Sequence, residues 1–159
     1  MNSLISKAFS AAKKENRPAL LTYTVAGDNT KSNSLKILNT ISKHADILEL
    51  GFPHNTPIAD GGQIQGSSYR ALKNGIKLRD VFKIVKKFKN SNPDKPLILM
   101  GYFNLVYQSG ENNFLKNCKT SGVDGCIIVD LPYPENKKFA DKCKKNLLIL
   151  SNLFLQQLQ

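Results

Sequence analysis

Short apolar runs alternate with longer amphipathic stretches along this chain, and that alternation constrains the fold more than any other feature. The runs are Ala19–Val25, Ile47–Gly51, Leu97–Tyr102, Gly125–Val129 and Leu147–Leu150. Between them lie stretches of helical periodicity: Ser3–Glu15, Ser32–His44, Gln63–Asn74, Leu78–Lys89, Asn112–Ser121 and Pro134–Lys145. Leu78, Val81, Phe82, Val85 and Phe88 recur at the spacing of one buried helix face. Gly75 and Gly122 are stop signals, and Pro134 suits a first helical turn. Strands separated by helices give βαβ units, and therefore a parallel sheet.

Two α/β architectures satisfy that pattern: a doubly wound open sheet and a (β/α)₈ TIM barrel. The first strand–helix turn, Thr24-Val25-Ala26-Gly27-Asp28-Asn29, has one glycine and lacks the G-x-G-x-x-G of a dinucleotide fold. No Walker A sequence occurs either. Polar groups gather instead at the C-terminal ends of runs, at Glu49, Tyr102 and Asp130. Barrel enzymes place their sites there. A complete barrel takes about 250 residues, whereas this sequence has 159. The expectation is an incomplete barrel of the first four to five β/α units. Its domain would span residues 1–146, followed by an aberrant tail at 147–159.

Composition excludes several function classes. No run reaches the roughly 18 apolar residues of a membrane span. The N-terminus lacks the basic and apolar regions of a signal peptide. It reads as an amphipathic helix with Leu4, Ile5, Ala8, Phe9 and Ala12 on one face. Cys118, Cys126 and Cys143 are odd in number and lack CxxC spacing. That fits reduced thiols in a cytoplasm, with no metal site. The net charge is +11, but only Arg17, Arg70 and Arg79 among the 23 basic residues are arginines. The lysines lie on solvated helix faces without outward aromatics, so nucleic-acid and membrane partners are not expected.

The run Ile47-Leu48-Glu49-Leu50-Gly51 carries the main anomaly. It is apolar on both faces, as a buried parallel strand is. Alternation places Glu49 on the face of Ile47 and Gly51. A carboxylate there is costly unless paired, hydrogen-bonded or protonated, and such groups cluster where chemistry is done. The structural alternative is a carboxylate paired with a lysine. Asp60 follows in a Pro/Gly/Asn-rich loop, where it could instead cap the next helix. Tyr102 could be core, and His44 fits a helix C-terminus near the dipole.

Three stretches extend these readings. They are Leu48–Pro53 with Pro57-Ile58-Ala59-Asp60-Gly61 and Ile64-Gln65; Met100–Val106; and Gly122-Val123-Asp124-Gly125 with Val129-Asp130-Leu131-Pro132. In content, order and spacing the chain resembles the tryptophan synthase alpha subunit family over residues 1 to about 146. The resemblance implies a barrel lyase that cleaves indole-3-glycerol phosphate, a small-molecule phosphate, to indole and glyceraldehyde 3-phosphate in tryptophan biosynthesis. It implies no cofactor in this subunit; pyridoxal phosphate belongs to the partner beta subunit of an α2β2-type complex. It makes Glu49 the general acid/base and Asp60 the acceptor of the indole N–H. Tyr23, Tyr102, Ile127 and Val129 become substrate-pocket residues. Pro53, His54, Asn55, Thr56, Asn104, Asp130 and Pro132 would face the beta subunit.

Many family members have Phe-Ser-Asp where this chain has His54-Asn55-Thr56. The carboxylate absent at Thr56 bears on subunit coupling, not on catalysis. After Asn146 the family would continue with a fifth strand and a Ser-Pro-Thr-like loop. Its later strands carry phosphate-binding glycines and a mobile loop. Permissible codons for Leu148–Gln159, read with the first two bases dropped, spell Tyr-Leu-Ile-Gln-Leu-Ile-Ser-Pro-Thr-Thr-Ser. The expectation is a shift of frame near codon 147. The competing expectation is an inactive half-barrel that serves only as an interaction or self-association module.

Overall fold

The computed structural model describes residues 3–146 and 148–151. The chain order is α1 (Leu4–Lys14), β1 (Leu21–Val25), α2 (Lys31–Ile41), β2 (Ile47–Gly51), α3 (Gly62–Lys73), α4 (Leu78–Ser91) and β3 (Leu97–Gly101). It continues with α5 (Phe103–Ser109), α6 (Glu111–Ser121), β4 (Gly125–Ile128), α7 (Lys137–Lys145) and β5 (Ile149–Ser151). The five strands form one sheet in the order β1-β2-β3-β4-β5, every neighbouring pair parallel. Strands that pair in sequence order through helical crossovers are the βα repeat of a barrel, not a doubly wound sheet. The arrangement is part of a (β/α)₈ barrel.

Side-chain alternation divides the core. One set of strand residues, Leu48, Leu50, Leu97, Leu99, Cys126 and Ile128, packs outward onto the helices, where it meets Leu38, Val81, Val85, Phe88, Phe114 and Phe139. The other set faces the barrel interior. Ile47, Ile98 and Ile127 form a separate cluster there with Ile5 of α1, joined by Ala8 and Met100. The N-terminal helix therefore lies over the inner face of the sheet and keeps that apolar row out of water. Of its expected apolar face, Ile5 and Ala12 are buried while Phe9 stays about half exposed.

Ion pairs fasten the N-terminal end of the sheet. Arg17 makes two hydrogen bonds to the Asp46 carboxylate at 2.6 and 2.9 Å, and Asp46 also accepts the Leu20 N–H at 2.7 Å. The carboxyl of Asp46 is thereby held down at about 2, first by Arg17 and then by the Leu20 N–H. Asp124, in the Gly122–Gly125 motif, accepts Lys89 Nζ at 3.0 Å and the Leu97 N–H at 2.9 Å. Its role is to tie α4 to the start of β3. Cys118, Cys126 and Cys143 are free and fully buried in the outer layer. Burial pushes the Cys143 thiol up to about 12.

The expected elements recur with shifted bounds. β2 agrees residue for residue, and α3 and α6 stop at Gly75 and Gly122, both at positive φ. β1 starts at Leu21, because the Leu20 carbonyl accepts the N–H groups of Asp46 and Ile47 outside the strand ladder. α7 starts at Lys137; Pro134 lies in a turn whose Asn136 N–H bonds back to Pro132 O. α5 was not expected at all. It has seven residues, too few to display a helical period. Ile149–Ser151 supply the fifth strand, whereas the rest of the 147–159 tail, apart from residue 148, lies outside the described residues.

Candidate active site

Four of the expected site residues converge where β1, β2 and β3 end. The register sets Tyr23 of β1 beside Glu49 of β2, and Glu49 beside Ile98 of β3. One step nearer the C-terminal end, the row reads Gly51, Met100, Ile127. Gly51 is required by this geometry, since a Cβ there would overlap the Tyr23 hydroxyl. The Tyr23 ring thus leans over Gly51, above Glu49. Gly101 likewise makes room for the Phe52 ring. Ile127 lies on the inner face by its packing. Val129, two residues on, shares that face and is held by its N–H on Gly101 O at 3.0 Å.

Glu49 is half-buried and, among the described residues, takes part in no salt bridge. The reading of Glu49 as a lysine-paired structural carboxylate therefore has no support in the geometry. Burial raises its pKa, with no donor among the described residues to offset the effect. Asp60 sits differently. It does not cap α3, whose N-cap is Gly61 with no side-chain bond. Burial raises the Asp60 carboxyl, but a hydrogen bond from the Tyr102 hydroxyl works against that rise. Tyr23 is pushed far up by burial, and then by the nearby Asp60, Tyr102 and Glu49 groups. The result is two carboxyls in one mouth, one with a donor and one without. Buried carboxyls whose pKa values rise in a shared mouth are candidates for acid/base chemistry.

Tyr102 is buried, 4% exposed, at the junction of β3 and α5. Its hydroxyl accepts the Ala59 N–H at 3.0 Å. The His54 ring stacks on it at 5.1 Å between centroids and 30° between planes. Burial is the main cause of its raised pKa. Nothing in the sequence signals the His54–Tyr102 stack, because the pair is brought together only by strand register.

The residues expected at a partner surface occupy the loops after β2, β3 and β4. Asn55, Thr56, Asn104, Asp130 and Pro132 are exposed and His54 is partly so. Pro53 differs: it is buried, beside a cavity of about 260 Å³ that Leu72, Ile76 and Leu105 also line, so it offers no free face. Asp130 has a second task, accepting the Phe103 N–H at 2.7 Å. It thereby satisfies the first turn of α5 and favours it through the helix dipole. Arg70 of α3 grips Asp28 of the β1–α2 loop with bonds of 2.8 and 2.9 Å. His44 is exposed in the turn after α2, its N–H on Ile41 O at 3.0 Å. Among the described residues, no group of three or more His, Cys, Asp or Glu could hold a metal, and no helix is long and apolar enough to cross a membrane.

Comparison with known proteins agrees with this geometry. The family model for the tryptophan synthase alpha chain matches residues 9–156. The tryptophan synthase alpha chain of Pelagibacter ubique is 71% identical over 143 residues, which is 90% of this chain and 54% of that protein. That of Pyrococcus furiosus is 47% identical over 123 residues, 77% of this chain and 49% of that one. Among solved structures, the alpha subunit of Legionella pneumophila superposes with a TM-score of 0.90 at 34% identity, covering 93% of this chain and 57% of that one. The tryptophan synthase a2b2 complex of Pyrococcus furiosus matches with a TM-score of 0.82 at 43% identity, covering 84% and 57%. The chain spans about half the length of the relatives it matches. With the barrel sheet, the two carboxyls at its mouth and these similarities together, the chain belongs to the tryptophan synthase alpha chain family.

Proposed function

We propose that this chain carries the acid/base half of a retro-aldol lyase site that releases indole and glyceraldehyde 3-phosphate from indole-3-glycerol phosphate. The observation that carries the reading is the pair of carboxyls at one mouth, Glu49 half-buried and in no salt bridge among the described residues, Asp60 beside the Tyr102 hydroxyl, both raised by burial. Glu49, protonated at the start, delivers its proton to indole C3, which leaves positive charge on the ring. As a carboxylate it then takes the proton of the side-chain hydroxyl. The carbinol carbon becomes the aldehyde, the C3–carbon bond breaks, and its electron pair returns to the ring. Glu49 ends protonated as it began, so one carboxyl, its pKa raised by burial, serves both transfers. Asp60 accepts the indole N–H and stabilises the cationic ring. Tyr23, Ile127 and Val129 supply an apolar wall for the ring, and Tyr102 the floor beside Asp60.

The exposed loop residues Asn55, Thr56, Asn104, Asp130 and Pro132 would meet a beta subunit, in line with the a2b2 assembly of the similar Pyrococcus furiosus structure. Pyridoxal phosphate is assigned to that partner and no cofactor to this chain. The test is indole release from indole-3-glycerol phosphate. It is measured for the chain alone, with a beta subunit, and with the second half of an alpha-family barrel joined after β5. Release that appears on joining and vanishes in the Glu49→Gln form supports the reading. A joined, folded barrel with no release refutes it. The second reading, a half-barrel acting by self-association, is favoured by one observation: β1 and β5 lie at the sheet edges with Leu20, Leu21 and Ile149 exposed. Sedimentation of the chain decides it, since a strict monomer rules it out.

A further inference from the structure

The β2–α3 loop has few ties to the rest of the molecule. Its main-chain bonds Ile58 N–H to Thr56 O and Asp60 N–H to Pro57 O are local. Among the described residues, the hydrogen bonds of 53–60 that reach outside the loop are the Ala59 N–H on Tyr102 Oη at 3.0 Å and Gln65 Nε2 on Asp60 O at 2.7 Å, and the Tyr102 hydroxyl also lies close enough to the Asp60 carboxyl to counter its rise. The bond from Ala59 and the contact with Asp60 both end on one phenol. A tyrosine hydroxyl has one proton to give and room to accept; here it accepts from Ala59 and faces the carboxyl of Asp60 in the same loop. The ring that carries it is buried, and on the loop side it is covered by His54.

We propose that Tyr102 is a positioning residue: with His54 stacked on its ring, it latches the β2–α3 loop through the Ala59 N–H and so fixes the direction in which Asp60 presents its carboxylate to the mouth. What the latch serves rests on the reading of Asp60 as the acceptor of the indole N–H; the latch itself stands on the contacts alone. A tyrosine that merely filled space would need no hydroxyl, and a loop held only by its own turns would leave Asp60 free to rotate toward water. Burial raises the carboxyls of both Asp60 and Glu49, but the Tyr102 hydroxyl works against the rise at Asp60, and no donor among the described residues does so at Glu49. His54 takes part through its aromatic face, so another flat ring can replace it.

The experiment uses the 159-residue chain and no substrate. Amide exchange at Ala59 and the carboxyl titration of Asp60 are followed by NMR in the parent, Tyr102→Phe, His54→Ala and His54→Phe. Tyr102→Phe keeps the ring and is expected to raise Ala59 exchange about tenfold, the loss of one hydrogen bond. It should also raise the Asp60 titration midpoint, a readout that a space-filling role would not move. Tyr23 and Tyr102 are the titratable groups that interact with Asp60, and neither ionises in the range scanned. His54→Ala should shift both readouts the same way by a smaller amount, and His54→Phe should restore them. A folded Tyr102→Phe with either readout unchanged overturns the proposal, and an unchanged His54→Ala removes His54 from it. Indole release enters none of these measurements, so failure of the lyase reading would be seen separately.

Discussion

Replacing Glu49 by glutamine separates chemistry from stability in one substitution. The amide has the shape of the carboxyl but cannot carry a proton. General acid/base catalysis contributes about 10²- to 10⁴-fold, or roughly 3–5 kcal/mol of activation free energy. A joined barrel with Glu49→Gln should therefore lose that factor in kcat while binding substrate normally. Stability should respond in the opposite sense. Removing one partner of a buried ion pair costs about 3–5 kcal/mol, but Glu49 is in no salt bridge among the described residues and its burial raises its pKa. The folded state thus holds the Glu49 proton more tightly than the unfolded chain. Stability of the parent falls as pH rises from the unfolded carboxyl value, about 4.3, through the raised folded value, and stays lower beyond it. Glutamine removes that loss, so Glu49→Gln should match the parent at pH 4 and exceed it at pH 8. Urea unfolding of the chain across that range is the assay. A Glu49→Gln chain less stable than its parent at pH 8 by 1 kcal/mol or more would show a hidden counter-ion and refute the reasoning; so would indole release within threefold of the parent.

Three further outcomes follow from the geometry. Gly51→Ala places a methyl on the Tyr23 hydroxyl; it should cost about 1–3 kcal/mol of overpacking, read as a lower urea midpoint that Tyr23→Phe partly restores. Asp124→Ala strips Lys89, whose side chain is 11% exposed, of its carboxylate and leaves the Leu97 N–H unsatisfied; a loss of about 3 kcal/mol in urea unfolding is expected, while Asp124→Asn should retain the Leu97 bond and lose less. Asp46, held at about 2 by Arg17 and the Leu20 N–H, contributes stability that is fully present above its unfolded value near 3.9 and is lost as pH falls toward 2; Arg17→Ala should shrink that acid-side loss in a pH-dependent unfolding series.

Much of this is legible in the sequence. β2 could be bounded because a run that is apolar on both faces and ends in glycine has few other uses. Glu49 stood out because it broke that run. Alternation alone placed it with Ile47 and Gly51, as the register shows. α5 was illegible because its seven residues gain their order from outside, through the Asp130 carboxylate and the burial of Val106. The different surroundings of the two carboxyls are illegible for a similar reason. With so many lysines in the sequence, nothing local says that none reaches Glu49. The Ala59–Tyr102 bond spans 43 positions, and only the parallel pairing of β2 with β3 brings its ends together.

The ties at the mouth also form a series, and that bears on how a site could be carried by part of a barrel. Asp28 of the first loop is gripped by Arg70 of α3, so the β1 end leans on the helix after β2. The loop after β2 is held by Tyr102 at the end of β3. The helix that begins after Tyr102 is held in turn by Asp130, from the loop after β4. Each loop is thus braced by the unit that follows it, and none of these braces reaches across the barrel. A site built in this way takes its local geometry from neighbouring βα units. Barrel closure would instead supply what neighbours cannot: cover for the inner face beyond the reach of α1, partners for the edges of β1 and β5, and a dry mouth. On this argument, joining the remaining units should change the polarity and affinity of the site far more than the relative placement of Glu49, Asp60 and Tyr102. A joined barrel in which the Ala59–Tyr102 bond is lost would contradict it.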